Sequence, residues 1–209
     1  MISDLQISKT LEPYGVKSDG PLCDRIRSYI SLLLRWNEKI SLTTITDEHE
    51  ILRFHFGESF FAATAAQIQF GRLADVGSGA GFPGIPLAMI APGLQVSLIE
   101  SNVKKSAFLS EVARALDLPN VSVLRARMEE TESDGRKFNF VTARALGGFV
   151  QLLAWSSLSL AESGKLILWL GGDDARKIAC ESAWSWGTPI QIPGSRDRFL
   201  LAGSPLRTR

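Results

Sequence analysis

Apolar positions over the first 70 residues recur at helical spacing. Leu22, Ile26, Ile30, Leu33, Leu34 and Ile40 fall three, four and seven apart behind Pro21, which predicts an amphipathic helix opening there. A second helix is expected from Asp47 to about Gln69, with Ile51, Leu52, Phe54, Phe60 and Phe61 in its apolar share. From Arg72 the texture changes. Short apolar runs (LADVG, VSLIE, VSVLRA, FNFVTA and KLILWLG) alternate with helical patterns at Lys104–Leu118 and Phe149–Leu160. Alternation at this spacing predicts βαβ units and a mostly parallel sheet. TPIQIPG and RFLLAG, joined by the turn-like PGSRD, read as an antiparallel pair at one edge of that sheet.

Composition narrows the class. The chain has 209 residues, 45% hydrophobic and 22% charged, close to an ordinary globular domain and long enough for a sizeable core. Its two cysteines, Cys23 and Cys180, form no CxxC pair; a reducing compartment suits them better than a disulfide framework or zinc ribbon. The start, MISDLQISKTLEPYG, lacks the basic and apolar regions of a signal peptide. The charge-free stretches Val76–Ile99 and Ala145–Ala161 are too rich in Gly and Pro, or too short, to predict a membrane span. A soluble, cytoplasmic, monomeric protein is expected, with no metal. Net charge is +1, but residues 1–134 carry 13 Lys and Arg against 17 Asp and Glu, and residues 135–209 carry 10 against 5. The C-terminal part is thus modestly basic.

The densest chemistry lies in DVGSGAGFPG, Asp75 to Gly84, directly after the first strand. Glycines at 77, 79 and 81 let the backbone turn sharply and approach a ligand, and Gly79, Gly81 and Gly84 also satisfy the dinucleotide pattern GxGxxG. Asp75 would meet a pyrophosphate with the wrong sign, whereas it suits a cationic amino group such as that of S-adenosylmethionine. Glu100 ends the next strand, placed to accept from ribose hydroxyls. The third strand is expected to end at Arg127-Met128-Glu129, where an adenine would be read. His49 and His55, six apart, do not share a helix face, so a zinc site is not expected. His55, between Phe54 and Phe56, reads as a packing or surface residue. Trp36, Trp155, Trp184 and Trp186 read as helix packing.

In their order and spacing, DVGSGAGFPGIPLA, ESNVKKSAFL, RARMEE and TARAL resemble the glucose-inhibited division protein B family, bacterial guanine-N7 methyltransferases of small-subunit ribosomal RNA. The resemblance runs from about Leu32 to Gly172, with RWNEKISLT and RFHFGES similar to the family's helical extension. Departures are Ser41 for the usual Asn, Glu58 for the usual Asp, and Leu170 for the usual Lys. The resemblance implies a class I methyltransferase fold, α/β and Rossmann-like, with an antiparallel edge strand. Residues 1–70 would form a helical extension and residues 71–209 the S-adenosylmethionine-dependent domain. It implies methyl transfer to N7 of one guanine in 16S rRNA of the small ribosomal subunit, with cofactor contacts at Gly77, Phe82, Met128, Glu129 and Arg144.

The residues agree with an N7 target. Neither cysteine is expected at a strand end, and Thr142-Ala143-Arg144-Ala145 stands where amine methyltransferases carry an NPPY-type motif. Guanine N7 has an in-plane lone pair and needs no general base, so catalysis reduces to alignment. Arg144, ending the fourth strand, is the candidate for shaping that site; an ion pair with a helix acid is its competing role. Lys104, Lys105, Arg144, Arg196 and Arg198 are candidate RNA-phosphate contacts, followed by Arg35 and Arg53. A methyltransferase of another substrate, an NAD-dependent oxidoreductase and a non-catalytic nucleotide- or RNA-binding module are the alternatives.

Overall fold

The computed structural model describes residues 1–131, 137–144 and 147–207; Ala145 and Leu146 of the TARAL motif lie outside the described residues. Helix α1 (Asp4–Leu11) is closed at its start by Ser3 and Gln6, each side chain accepting from the other's backbone N–H. Helix α2 (Gly20–Asn37) starts at Asp19, whose carboxylate accepts from the Leu22 N–H at 2.9 Å. Ile26, Ile30 and Leu33 are buried as the periodicity requires. Ile40 falls beyond the helix, because the Asn37 side chain bonds the backbone of Leu42 and Thr43 and turns the chain.

The single helix expected from Asp47 to Gln69 is a composite. It comprises α3 (Glu48–Glu50), a π-helix (Ile51–Gly57) and α4 (Glu58–Ala65). Gln67 adopts a left-handed φ of 58° and ends the helical run early. The π-helix widens the turn that carries Arg53, Phe54 and His55, and Gly57 allows the Tyr14 ring to pack directly on the backbone.

One sheet follows. Strand β1 (Phe70–Val76) leads through α5 (Gly84–Ile90) to β2 (Gly93–Ile99), then through α6 (Val103–Ala115) to β3 (Val121–Leu124). Strand β4 (Phe138–Arg144), α7 (Phe149–Ser159), β5 (Leu160–Gly171), α8 (Gly172–Ile178), β6 (Trp184–Trp186), β7 (Ile190–Gln191) and β8 (Arg198–Pro205) complete it. The order is β3-β2-β1-β4-β5-β8-β6, with β7 also on β8. The first five are parallel, and β8 joins β5 antiparallel, as does each of β6 and β7 on β8. The chain therefore winds outward in both directions from the β1/β4 pair, and the crevice at the C-terminal ends of these strands is where open α/β sheets bind ligands.

Alternation in the strands sorts side chains into two cores. Leu73, Ile167 and Trp169 face the α2, α5 and α6 side, which also takes Ile7, Leu33, Phe56 and Phe60. Ala74, Val141, Leu166 and Leu168 face the side of α7 and α8. The helices before β1 thus share a continuous core with the sheet. Three sequence expectations need correction. Trp184 and Trp186 lie on β6, not a helix; a spacing of two puts both on one face, where their rings stack at 5.2 Å. Cys180, expected in a late helix, lies just past α8 rather than in it. The third strand ends at Leu124, and Met128–Glu130 form a 3-10 turn secured by the Glu130 carboxylate on the Arg127 N–H at 3.0 Å.

Candidate functional site at the strand ends

The chain leaves β1 at Val76 and turns through Gly77, Gly79 and Gly81, with φ of 67°, 55° and 88°. Such angles favour glycine. At Gly81 space matters as well, since a Cβ there would lie 2.3 Å from the Tyr29 hydroxyl. Tyr29, on α2, donates to the Ala80 carbonyl at 2.5 Å and stacks on Phe82, whose ring also lies against His55 at 4.7 Å. The N-terminal helices therefore grip the glycine loop from behind.

Two carboxylates hold the loop from the sheet side. Asp75 is buried under it, accepting from the Thr142 hydroxyl at 2.8 Å and the Gly84 N–H at 3.3 Å. Burial pushes its pKa up to about 6, against the pull of those hydrogen bonds. Glu100, just past β2, accepts from the Gly79 N–H at 2.9 Å and the Asn102 N–H at 2.8 Å. Each of its oxygens keeps a lone pair for a ligand.

In front of the loop lies a cavity of about 390 Å³, within the range of small-ligand sites. Gly77, Glu100, Met128 and Glu129 line it, together with Ile99, Ala126, Arg127, Gly148 and Gln151. Four of the sequence candidates are thus brought together. Asp75, Gly79, Phe82 and Arg144 are not lining residues: the first two shape the loop and Phe82 belongs to the aromatic stack behind it. Sequence reasoning missed Gln151 and the Gly147-Gly148 approach to α7, although a Gly-Gly pair before a helix was a readable signal. The cavity fits a nucleoside-bearing cofactor. A carboxylate stands beside an apolar wall of Ile99, Ala126 and Met128, and Gly77 presents backbone with no Cβ.

Arg144 ends β4 one residue past the Val76–Ala143 pairing, level with Gly77. Its guanidinium pairs with Glu58 Oε2 at 3.0 Å and donates to the Phe54 carbonyl at 2.9 Å. Glu58, on α4, is 1% exposed and also pairs through Oε1 with Arg198 on β8 at 2.6 Å. Burial raises the Glu58 pKa, opposed by Arg144, Arg198 and Arg53. His55 donates or accepts through Nε2 with Thr43 Oγ1 at 2.8 Å, while burial, then Arg144 and Arg198, depress its pKa to about 3. It is a neutral ring inside the protein. Arg144 Nη1 and His55 Nδ1 are buried with no hydrogen-bond partner. Lys104 and Lys105 stand in the first turn of α6, whose N-cap is Asn102.

Residues 22–185 match the family described as GidB, rRNA small subunit methyltransferase G. The chain belongs to that family. It is 38% identical over 84% of its length to the ribosomal RNA small subunit methyltransferase G of Xanthomonas euvesicatoria, covering 83% of that protein. With the protein of the same name from Stenotrophomonas maltophilia it is 37% identical, over 93% of each chain. Among solved structures, a SAM-dependent methyltransferase from Aquifex aeolicus superposes with a TM-score of 0.62 at 15% identity, over 74% of this chain and 92% of that one. The glycopeptide N-methyltransferase MtfA, solved with sinefungin, gives a TM-score of 0.62 at 13% identity, over 73% and 87%. The fold is the class I methyltransferase fold expected from the sequence. For a member of the methyltransferase G family, the nicotinamide oxidoreductase and the non-catalytic module are set aside. Among the described residues no group of His, Cys, Asp and Glu is placed to hold a metal ion, and no helix is long and apolar enough to cross a membrane.

Proposed function

We propose that this chain transfers a methyl group from S-adenosylmethionine to N7 of one guanine in 16S rRNA of the small ribosomal subunit, acting in the cytoplasm as a monomer. The observation that carries the reading is the cavity beside Glu100 at the β1/β4 crevice, in a chain of the small-subunit rRNA methyltransferase family. Gly77, Glu100, Met128 and Glu129 would hold the cofactor, with the Glu100 lone pairs accepting from ribose hydroxyls and Met128 against the base. Asp75 and Gly79 would act through the loop they shape, and Phe82 through its packing. When bound, S-adenosylmethionine supplies an electrophilic methyl group on sulfur.

The chain's own contribution is alignment and exclusion of water. No covalent relay is built here: Cys23 is buried in α2, and Cys180 is exposed beyond α8, neither lining the cavity. A lone-pair nucleophile such as guanine N7 needs none. Arg144 is a positioning residue in this scheme, holding the end of β4 against the π-helix while its Nη1 stays available. The test is methyl transfer from labelled S-adenosylmethionine to small subunits lacking the modification, with mass mapping of the 16S rRNA. One N7-methylated guanine is expected. Cofactor binding without label in ribosomal RNA would overturn the substrate.

A further inference from the structure

Outside the cavity, the structure gathers guanidinium groups at one place. The turn between β7 and β8 carries Arg196, leads into Arg198 at the start of β8, and is docked on the π-helix by Arg53, which donates to the Gly194 carbonyl at 2.7 Å. Gly194 has a φ of 70°, and a Cβ there would lie 2.9 Å from the Arg53 guanidinium. Arg53 and Arg198 both lie over the Phe54 ring, 5.0 and 4.7 Å from its centroid. Glu58 is shared between Arg198 and Arg144, so one carboxylate serves two guanidiniums, and Arg53 and Arg196 add two more outside it. Arg53 and Arg196 are exposed, and Asp197, beside them, accepts from the Gly172 N–H at 3.2 Å.

We infer that Arg53, Phe54, Arg196 and Arg198 form the surface that holds the phosphate backbone of the RNA substrate. The inference rests on the rRNA reading above. Three independent observations carry it. Four guanidiniums (Arg53, Arg144, Arg196 and Arg198) outnumber the two carboxylates among them, Glu58 and Asp197, and the planar fork of arginine matches phosphate better than lysine does. The surface is continuous with the reaction site, because the Glu58 chain links Arg198 to Arg144, level with Gly77 at the strand ends. And Arg53 and Phe54 stand on a π-helix, a rare departure from regular geometry that is frequent at functional positions. An aromatic ring held by two guanidiniums also presents a rigid, cationic platform next to which an unstacked nucleotide can lie.

The experiment is a salt series of binding to small ribosomal subunits and to protein-stripped 16S rRNA. It compares the unaltered protein with Arg53→Gln, Arg196→Gln, their double variant and Arg53→Lys. Cofactor affinity by calorimetry and thermal melting accompany each. The double variant is expected to lose about two units of salt slope and at least tenfold in affinity on both RNA forms. Cofactor affinity should stay unchanged, and Arg53→Lys should recover part of the slope. An unchanged slope in the double variant overturns the inference, as does a loss seen on subunits but not on stripped RNA, which would mark a ribosomal protein as the occupant. If Arg53→Gln melts early by freeing the turn, Arg196→Gln alone decides, since its side chain is exposed. Failure of the unaltered protein to bind either RNA form, with cofactor affinity intact, would instead sink the rRNA reading itself.

Discussion

The two halves of the sheet's C-terminal edge are built from opposite chemistry. On the β1, β2 and β3 side, backbone glycine, the carboxylates of Glu100 and Glu129 and the single guanidinium of Arg127 line an open cavity, and Glu100 has only neutral N–H hydrogen-bond partners. On the β4, β5 and β8 side, guanidiniums surround one buried carboxylate, and Arg53 and Arg198 lie over the Phe54 ring. The first arrangement keeps acceptors free for a small polar ligand. The second uses its buried carboxylate, Glu58, internally and leaves the guanidiniums of Arg53 and Arg196 facing out. A methyltransferase of RNA needs both, and this fold separates them by the direction in which the chain winds from the β1/β4 pair.

The comparison can be broken most sharply at Glu58. Glu58→Ala leaves Arg144 buried without its partner, so a loss of about 3–5 kcal/mol in urea unfolding is expected. Cofactor affinity of the remaining folded protein should change little, because Glu58 belongs to the cationic half. A large loss of cofactor binding without loss of stability would show the two halves to be one site.

The neutral ring of His55 offers a second cut. Its folded pKa, about 3, lies below the ordinary 6.5, so the folded state refuses a proton that the unfolded chain accepts. Its contribution is complete above 6.5 and lost as pH falls toward 3. Asp75 runs the other way: with a folded pKa of about 6, its contribution is present below the ordinary 3.8 and lost as pH rises through 6. Replacing His55 by Gln, with the Asp75 effect constant, should flatten the decline between pH 6.5 and 4.5 by on the order of 2 kcal/mol. Parallel stability curves for the two proteins would refute a buried neutral ring.

Glu100 tests the other half. Glu100→Ala should weaken cofactor binding by about 1.5–3 kcal/mol in calorimetry while leaving the salt slope of RNA binding unaltered. A loss confined to turnover would contradict a ribose contact. The smallest effect is expected at Lys104 and Lys105, which stand on α6 beside the carboxylate-lined half. Changing both to Ala should lower the RNA salt slope by no more than about one unit. A drop larger than that of the Arg53 and Arg196 double variant would move the RNA path to the cavity side.

Much of this molecule is local enough to be read along the chain. Hydrophobic spacing places α2, α6 and α7, and alternation separates the strands, because burial of one face imposes a period on the residues that form it. The turn at Gly77, Gly79 and Gly81 and the acceptor at Glu100 are legible for a similar reason: each depends on backbone angles or on position at a strand end. Contacts across the fold are not legible in this way. That Asp75 lies beneath the loop depends on Thr142, 67 residues later, and that Arg144 shares Glu58 with Arg198 depends on three elements meeting. Trp184 and Trp186 became a strand because β8 offered them an edge, and the helix after Asp47 became a π-helix where Tyr14 and the arginines pack. The sequence by itself determined most of the helices, the parallel strands and where a ligand-binding turn stands. Only the tertiary structure decided which charges are consumed inside and which remain at the surface, because that depends on distances between residues far apart in the chain.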